Sequence, residues 1–185
     1  MNQLRYGLRV ARDAANWSIR LYFNKFWPIV GVSMIPTVQR FWLVGQTESP
    51  PTALTVAGEI LAQGSRVLLV WLLLRYVFTG HPALATLTVQ QRWDRFTAFV
   101  DRHTGAFVTQ FGVLALAVLA FDRLPDLLMT ALVPPDDLPL ITAIVVAAKN
   151  PTVIALTLVW MCGAAGVMAL RTIEVDSPKV TTPHQ

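Results

Sequence analysis

The chain has 185 residues, of which 54% are hydrophobic and only 14% charged, and its mean hydropathy is +0.51. A soluble domain carries roughly 25% charged residues, so this composition excludes an ordinary soluble domain. With apolar runs of about 20 residues it points to an all-α, polytopic integral membrane protein. The formal charge is +4, and in such a chain basic residues mark the cytoplasmic side of a bilayer rather than a nucleic-acid partner.

Residues 1–25 read as a basic amphipathic helix on the cytoplasmic interface. Arg5, Arg9, Arg12, Arg20 and Lys25 alternate with Leu8, Val10, Trp17, Leu21 and Phe23. A basic helix with an aromatic side suits anionic lipid headgroups. The first apolar run starts only near Phe26, so a retained span is expected rather than a cleaved signal peptide.

Span one is expected at 26–45, "FWPIVGVSMIPTVQRFWLVG". Phe26 and Trp27 open it and Phe41 and Trp42 close it, as interfacial aromatics do. Pro36 lies inside and predicts a kink. A turn with Pro50 and Pro51 leads to span two at 54–78. Residues 81–103 form a second basic segment, in which Arg92, Arg95 and Arg102 alternate with Trp93, Phe96 and Phe99. Span three is expected at 105–121.

An acidic, proline-punctuated outer loop, "DRLPDLLMTALVPPDD", follows. Residues 138–148 are apolar but too few to cross, which predicts a short re-entrant or interfacial helix. Lys149-Asn150-Pro151 then reads as a break before span four at 152–170, because Asn-Pro is a turn signal. The alternative is one long kinked helix from 138 to 170. The tail, 171–185, is polar and reads as disordered.

Loop charge orients these four spans. Nearly all Lys and Arg outside the spans lie in the N-terminal segment, the middle segment and the tail, while Asp122, Asp126, Asp136 and Asp137 gather in an outer loop. Both termini are then cytoplasmic in a bacterial inner membrane. Each half also reads as a basic helix leading into a hairpin, a hint of duplication.

Catalytic, metal and cofactor signatures are missing from the sequence. His81, His103 and His184 show no metal-ligand spacing, and no HExxH, CxxC, Walker or GxGxxG pattern occurs. The single cysteine, Cys162, lies in an apolar run and reads as a small buried hydrophobe. An enzyme is therefore the weakest functional class. Gly163, Ala164, Ala165 and Gly166 form a small-residue patch suited to close helix packing, within the chain or between subunits. Lys149 reads as an outer interfacial anchor.

The sharpest signal is a polar stripe of Arg40, Glu59, Gln63 and Arg66. Ionisable groups inside a span usually pair or face a cavity. At a rise of 1.5 Å per residue, Glu59 lies about 7.5 Å into span two and Arg66 about 18 Å, close to the midplane. Arg40 on span one has a depth similar to that of Glu59, so a bridge between them is expected. Arg66 is expected to pair with Glu59 through Gln63, or else to meet a partner's carboxylate. The leading functional expectation is a non-catalytic accessory or scaffolding subunit of a larger membrane complex. Its partners would be lipid headgroups, other membrane subunits or further copies of itself. The alternative is a small oligomeric transporter or channel for a lipid or ion, using the Glu59/Arg66 face.

Overall fold

The computed structural model describes residues 3–45 and 51–176, and these are helical with short connections. Helix α1 (Gln3–Asn24) runs into α2 (Phe26–Gly45) across one turn residue, Lys25. The backbone ladder persists there: the Lys25 N–H donates to Leu21 O at 2.8 Å and the Ile29 N–H to Lys25 O at 3.2 Å. The two helices therefore form one long arm. Helix α1 buries Gly7, Val10, Ala11, Ala14, Ser18 and Tyr22, spaced three and four apart. That spacing is the inner stripe of an amphipathic helix, and it leaves Arg5, Arg9, Arg12 and Arg20 exposed.

Helix α3 (Thr52–Thr79) starts after Pro51 and stops at Gly80, whose N–H donates back to Tyr76 O at 2.9 Å. Short α4 (Pro82–Ala85) is capped by the His81 ring, which accepts from the Ala83 N–H. Helix α5 (Val89–Arg102) opens on a capping box, in which Thr88 and Gln91 each bond the other's backbone N–H. Such a box satisfies two donors that a helix start leaves orphaned.

Two long helices complete the fold. The first comprises α6 (Thr104–Val118), a π turn (Leu119–Arg123) and α7 (Leu124–Leu132). The second comprises α8 (Leu138–Lys149), a π turn (Asn150–Ile154) and α9 (Ala155–Asp176). Among the described residues, three helices are long and apolar enough to cross a membrane: Thr52–Thr79, Thr104–Leu132 and Leu138–Ile173.

Three sequence expectations are corrected here. The break at 149–151 and the separate re-entrant helix at 138–148 give way to one continuous helix. Pro151 has no N–H and crowds the turn before it, and the chain absorbs this with a π turn instead of ending the helix. The Pro151 carbonyl accepts from the Tyr22 hydroxyl at 2.6 Å. The acidic outer loop likewise stays helical to Leu132, through a π turn just ahead of Pro125. The tail is helical to Asp176; residues 177–185 and 46–50 lie outside the described residues.

Helix α1 packs along α9 and α6, α2 along α8 and α3, and α5 on α9. Contacts fix the direction of the first pair. Asp13 meets Arg171, Ser18 meets Val159 and Tyr22 meets Pro151, so α1 and α9 are antiparallel. One core gathers Tyr22, Ile29, Leu69, Leu73, Val77, Ala155, Val159 and Cys162. A second gathers Val10, Ala14, Phe99, Ala106, Ala164 and Met168. Phe99 lets α5 close the end of the bundle, where it lies against Tyr6 with ring centroids 6.2 Å apart.

Candidate functional site

The polar stripe divides in two. At the far end of the α2–α3 hairpin, Arg40 Nη2 lies 3.1 Å from Glu59 Oε1, and Gln39 Nε2 donates to the same carboxylate at 3.0 Å. Both ionic side chains are 36% exposed. The carboxylate thus holds one formal charge partner and one amide, and the hairpin's two helices are tied at one level.

Arg66 lies one to two turns deeper and does not join that pair. Its Nη1 donates to Gln63 Oε1 at 3.3 Å, and the expected relay from Gln63 to Glu59 does not form, because Arg40 and Gln39 occupy the carboxylate. Its buried Nε has no hydrogen-bond partner, nor does Asn150 Oδ1. Arg66 and Asn150 line the same crevice, of about 10 Å³, with Ser33 and Ser65 beside them. A site of that size and polarity accommodates about one water.

The most tightly held charges are ones that the sequence reading places in an outer loop, Asp122 and Asp126, or takes as an interfacial anchor, Lys149. Lys149 Nζ lies 3.0 Å from Asp122 Oδ1 and 2.6 Å from Asp126 Oδ1, and donates to Asp122 O at 2.7 Å. The lysine side chain is only 8% exposed. Arg123 Nε approaches the other oxygen of Asp122 at 4.0 Å, so the cluster sums to zero charge. A π turn sits beside the cluster on each helix. The signal was in the spacing: Asp122 and Asp126, four apart, share a face once 119–132 is read as helix.

The small-residue patch packs inside the chain. A Cβ added to Gly163 would strike the Trp17 ring and come within 2.8 Å of Ser18 Oγ, and one on Gly166 would strike Val77. Ala164 joins the second core, and Ala165 lines two surface grooves. Of the expected headgroup residues, Arg5, Arg9, Arg12, Arg20, Lys25, Trp27 and Trp93 are exposed, whereas Trp17, Arg92 and Arg95 are half-buried. Arg92 donates to Leu84 O at 3.1 Å and lies over the Phe78 ring at 4.9 Å.

No group of three or more His, Cys, Asp or Glu among the described residues is arranged to hold a metal ion. Comparison with known protein families, with curated proteins and with solved structures finds no match to this chain.

Proposed function

We propose that this chain is a non-catalytic integral membrane protein that serves as an accessory or scaffolding subunit of a larger membrane complex. In this reading the α1–α2 arm is a fourth span whose basic start lies at the cytoplasmic interface, α5 is a basic helix at that interface, and both termini lie on that side of a bacterial inner membrane. Packed along α9 from Arg171 to Pro151, α1 does not lie flat on the surface as its amphipathic pattern suggested. The observation that carries the reading is the Lys149 cluster. A lysine sunk between two helices is matched there by two carboxylates from the neighbouring helix. Charges matched to one another fix helix positions. The Arg40–Glu59 and Arg171–Asp13 pairs work alike, the latter at 2.8 Å. Meanwhile the Thr104–Leu132 helix keeps large apolar side chains, including Leu116, Phe121 and Leu127, mostly exposed. They suit a partner's helix or lipid.

Purification from native membranes in mild detergent tests the reading. Stoichiometric co-purification of another membrane protein is the expected result. A monomer that brings no partner under several detergents overturns it.

A second reading, a small oligomeric transporter or channel for an ion or lipid, draws on the unpaired Arg66 Nε and Asn150 Oδ1 facing one crevice. It requires Arg66→Ala and Glu59→Ala to abolish flux in proteoliposomes while the protein stays folded. Wild-type flux in both variants removes it.

A further inference from the structure

A wide groove lies away from the polar stripe. It is a cavity of about 610 Å³ where the last turns of α3, the start of α5 and the middle of α9 meet. Drug-sized and cofactor-sized ligands occupy cavities of roughly 300–1,000 Å³. Trp71, Phe78, Trp93 and Phe96 wall it, and the floor is Ala165, whose small side chain leaves the space open. Two cations sit on its wall, Arg75 and Arg92.

Those two guanidiniums are held by rings and carbonyls, not by carboxylates. Arg75 Cζ stands 5.7 Å from the Trp71 ring centroid, and Arg92 Cζ stands 4.9 Å from that of Phe78. Arg92 spends its Nε and one Nη on Leu84 O and Ala85 O. Among the described residues neither arginine is in an ion pair. Unlike Arg40, Lys149 and Arg171, each matched by an acid, Arg75 and Arg92 line this aromatic groove without one. Unmatched positive charge at the end of an aromatic slot complements an anion that carries a hydrocarbon tail. Trp71 and Trp93, both more than half exposed, have the amphipathic rings that favour the headgroup level of a bilayer.

We infer that this groove binds one anionic phospholipid, with an acyl chain along Trp71, Phe78, Trp93 and Phe96 and the phosphate at Arg75 and Arg92. Basic pockets between membrane helices on the cytoplasmic side bind such headgroups by the same combination of charge and apolar depth. The inference rests on the reading above only in placing this end of the bundle at a membrane interface.

Native mass spectrometry of the full chain, released from neutral detergent with phosphatidylglycerol or phosphatidylcholine added, tests it. One phosphatidylglycerol is expected to stay bound at concentrations where phosphatidylcholine does not. Arg75→Gln should weaken retention about tenfold, a typical worth for one charge-assisted bond to phosphate. Ala165→Phe fills the floor with both arginines intact and should weaken it comparably. Arg5→Gln and Arg20→Gln, on exposed headgroup-facing charges of α1, should weaken retention of this one tightly held lipid far less than Arg75→Gln does. Helical circular dichroism confirms that each variant is folded, and the wild-type lipid preference decides the matter even where one is not.

Equal retention of both lipids overturns the inference, as does equal loss in the α1 variants, which would mean diffuse attraction. Displacement of the lipid by millimolar inorganic phosphate would mean a free-phosphate site instead. If Ala165→Phe alters the oligomeric state and leaves the lipid count unchanged, the groove is a protein interface and the inference fails. Carbonate extraction of native membranes checks the embedding separately, so the failure of one reading is not mistaken for the failure of the other.

Discussion

Lys149 on α8 and Asp126 on α7 meet at 2.6 Å across the hairpin that joins the two longest helices, and Asp122 closes on the same ammonium at 3.0 Å. Removing the lysine alone leaves two neighbouring carboxylates with only Arg123, 71% exposed, to balance them. Breaking a buried pair from one side costs about 3–5 kcal/mol, and the low end, about 3 kcal/mol, applies here because both aspartates are partly exposed. Lys149→Met should therefore lower the unfolding midpoint in detergent sharply. Lys149→Met combined with Asp122→Asn and Asp126→Asn should recover most of that loss. If the triple variant is no better than the single one, the ammonium is not held by these carboxylates.

Tyr22 secures the other side of the same π turn through its 2.6 Å bond to Pro151 O. Tyr22→Phe keeps the ring and deletes the bond, at an expected cost of about 0.5–1.5 kcal/mol. Burial also pushes the Tyr22 hydroxyl above its ordinary 10.0. The folded chain then holds that proton more tightly than the unfolded chain does. The associated stability is complete below pH 10 and is lost as pH rises through the elevated value. Unfolding measured from neutral to strongly alkaline pH should fall more steeply for the wild type than for Tyr22→Phe.

The helix boundaries in the first half were legible because local chemistry sets them. The reading of 26–45 matches α2, and 54–78 differs from Thr52–Thr79 by two residues or fewer at each end. The second half misled where a local rule competed with packing. Asn150-Pro151 reads as a turn in isolation, but α2 lies along α8 and the Tyr22 hydroxyl meets the Pro151 carbonyl, so the helix continues. Once that segment was read as a break, Lys149 could not be placed against Asp122, 27 residues away. The two basic helices also join the helices that follow them differently. The first basic helix passes straight through Lys25 with its ladder intact. The second ends at His103, whose φ of −134° and ψ of 45° leave the helical region. Arg40 and Glu59 were legible because a hairpin places equal depths side by side; the orphaned Arg66 Nε depends on who else claims Glu59, and only the fold decides that.

Gly166 and Gly112 offer a matched comparison. Gly166→Ala drives a methyl into Val77, a β-branched side chain with little freedom to move, whereas Gly112 has nothing within 4 Å of the added carbon. Overpacking of that kind costs about 1–3 kcal/mol, while alanine in an open helical site gains up to about 1 kcal/mol over glycine. Thermal unfolding of the two variants should move in opposite directions. Equal behaviour would mean that α3 and α9 are not in the close contact described.

The Arg40–Glu59 pair should be worth much less than the Lys149 cluster. Both side chains are 36% exposed, and Gln39 already satisfies part of the carboxylate. A double-mutant cycle with Arg40→Gln and Glu59→Gln should return a coupling of about 0.2–1 kcal/mol, the range for exposed pairs. A coupling several times larger would mean that hydrocarbon, not water, surrounds this end of the hairpin.

Labelling from one side of the membrane separates a four-span arrangement from a three-span one. The background is Cys162→Ala, which removes the one native thiol, itself buried. Gln3→Cys, Gln90→Cys and Asp136→Cys then place single thiols on exposed positions before α2, on α5 and between α7 and α8. If α2 crosses the membrane, an even number of crossings separates Gln3 from Gln90. Both should then react with an impermeant maleimide only after the cytoplasmic face is opened, and Asp136→Cys should react from outside. If α2 lies on the surface, only α3 intervenes, and Gln3→Cys and Gln90→Cys must report opposite faces. Pro36 and the half-exposed Arg40 make α2 the least conventional of the spans, yet Ser33 and Thr37 donate their hydroxyls to Ile29 O and Ser33 O, each at 2.8 Å. Both side chains are buried in the bundle, and those bonds satisfy their hydroxyls there, as a segment within the hydrocarbon requires. Same-face labelling of Gln3→Cys and Gln90→Cys is therefore the expected result.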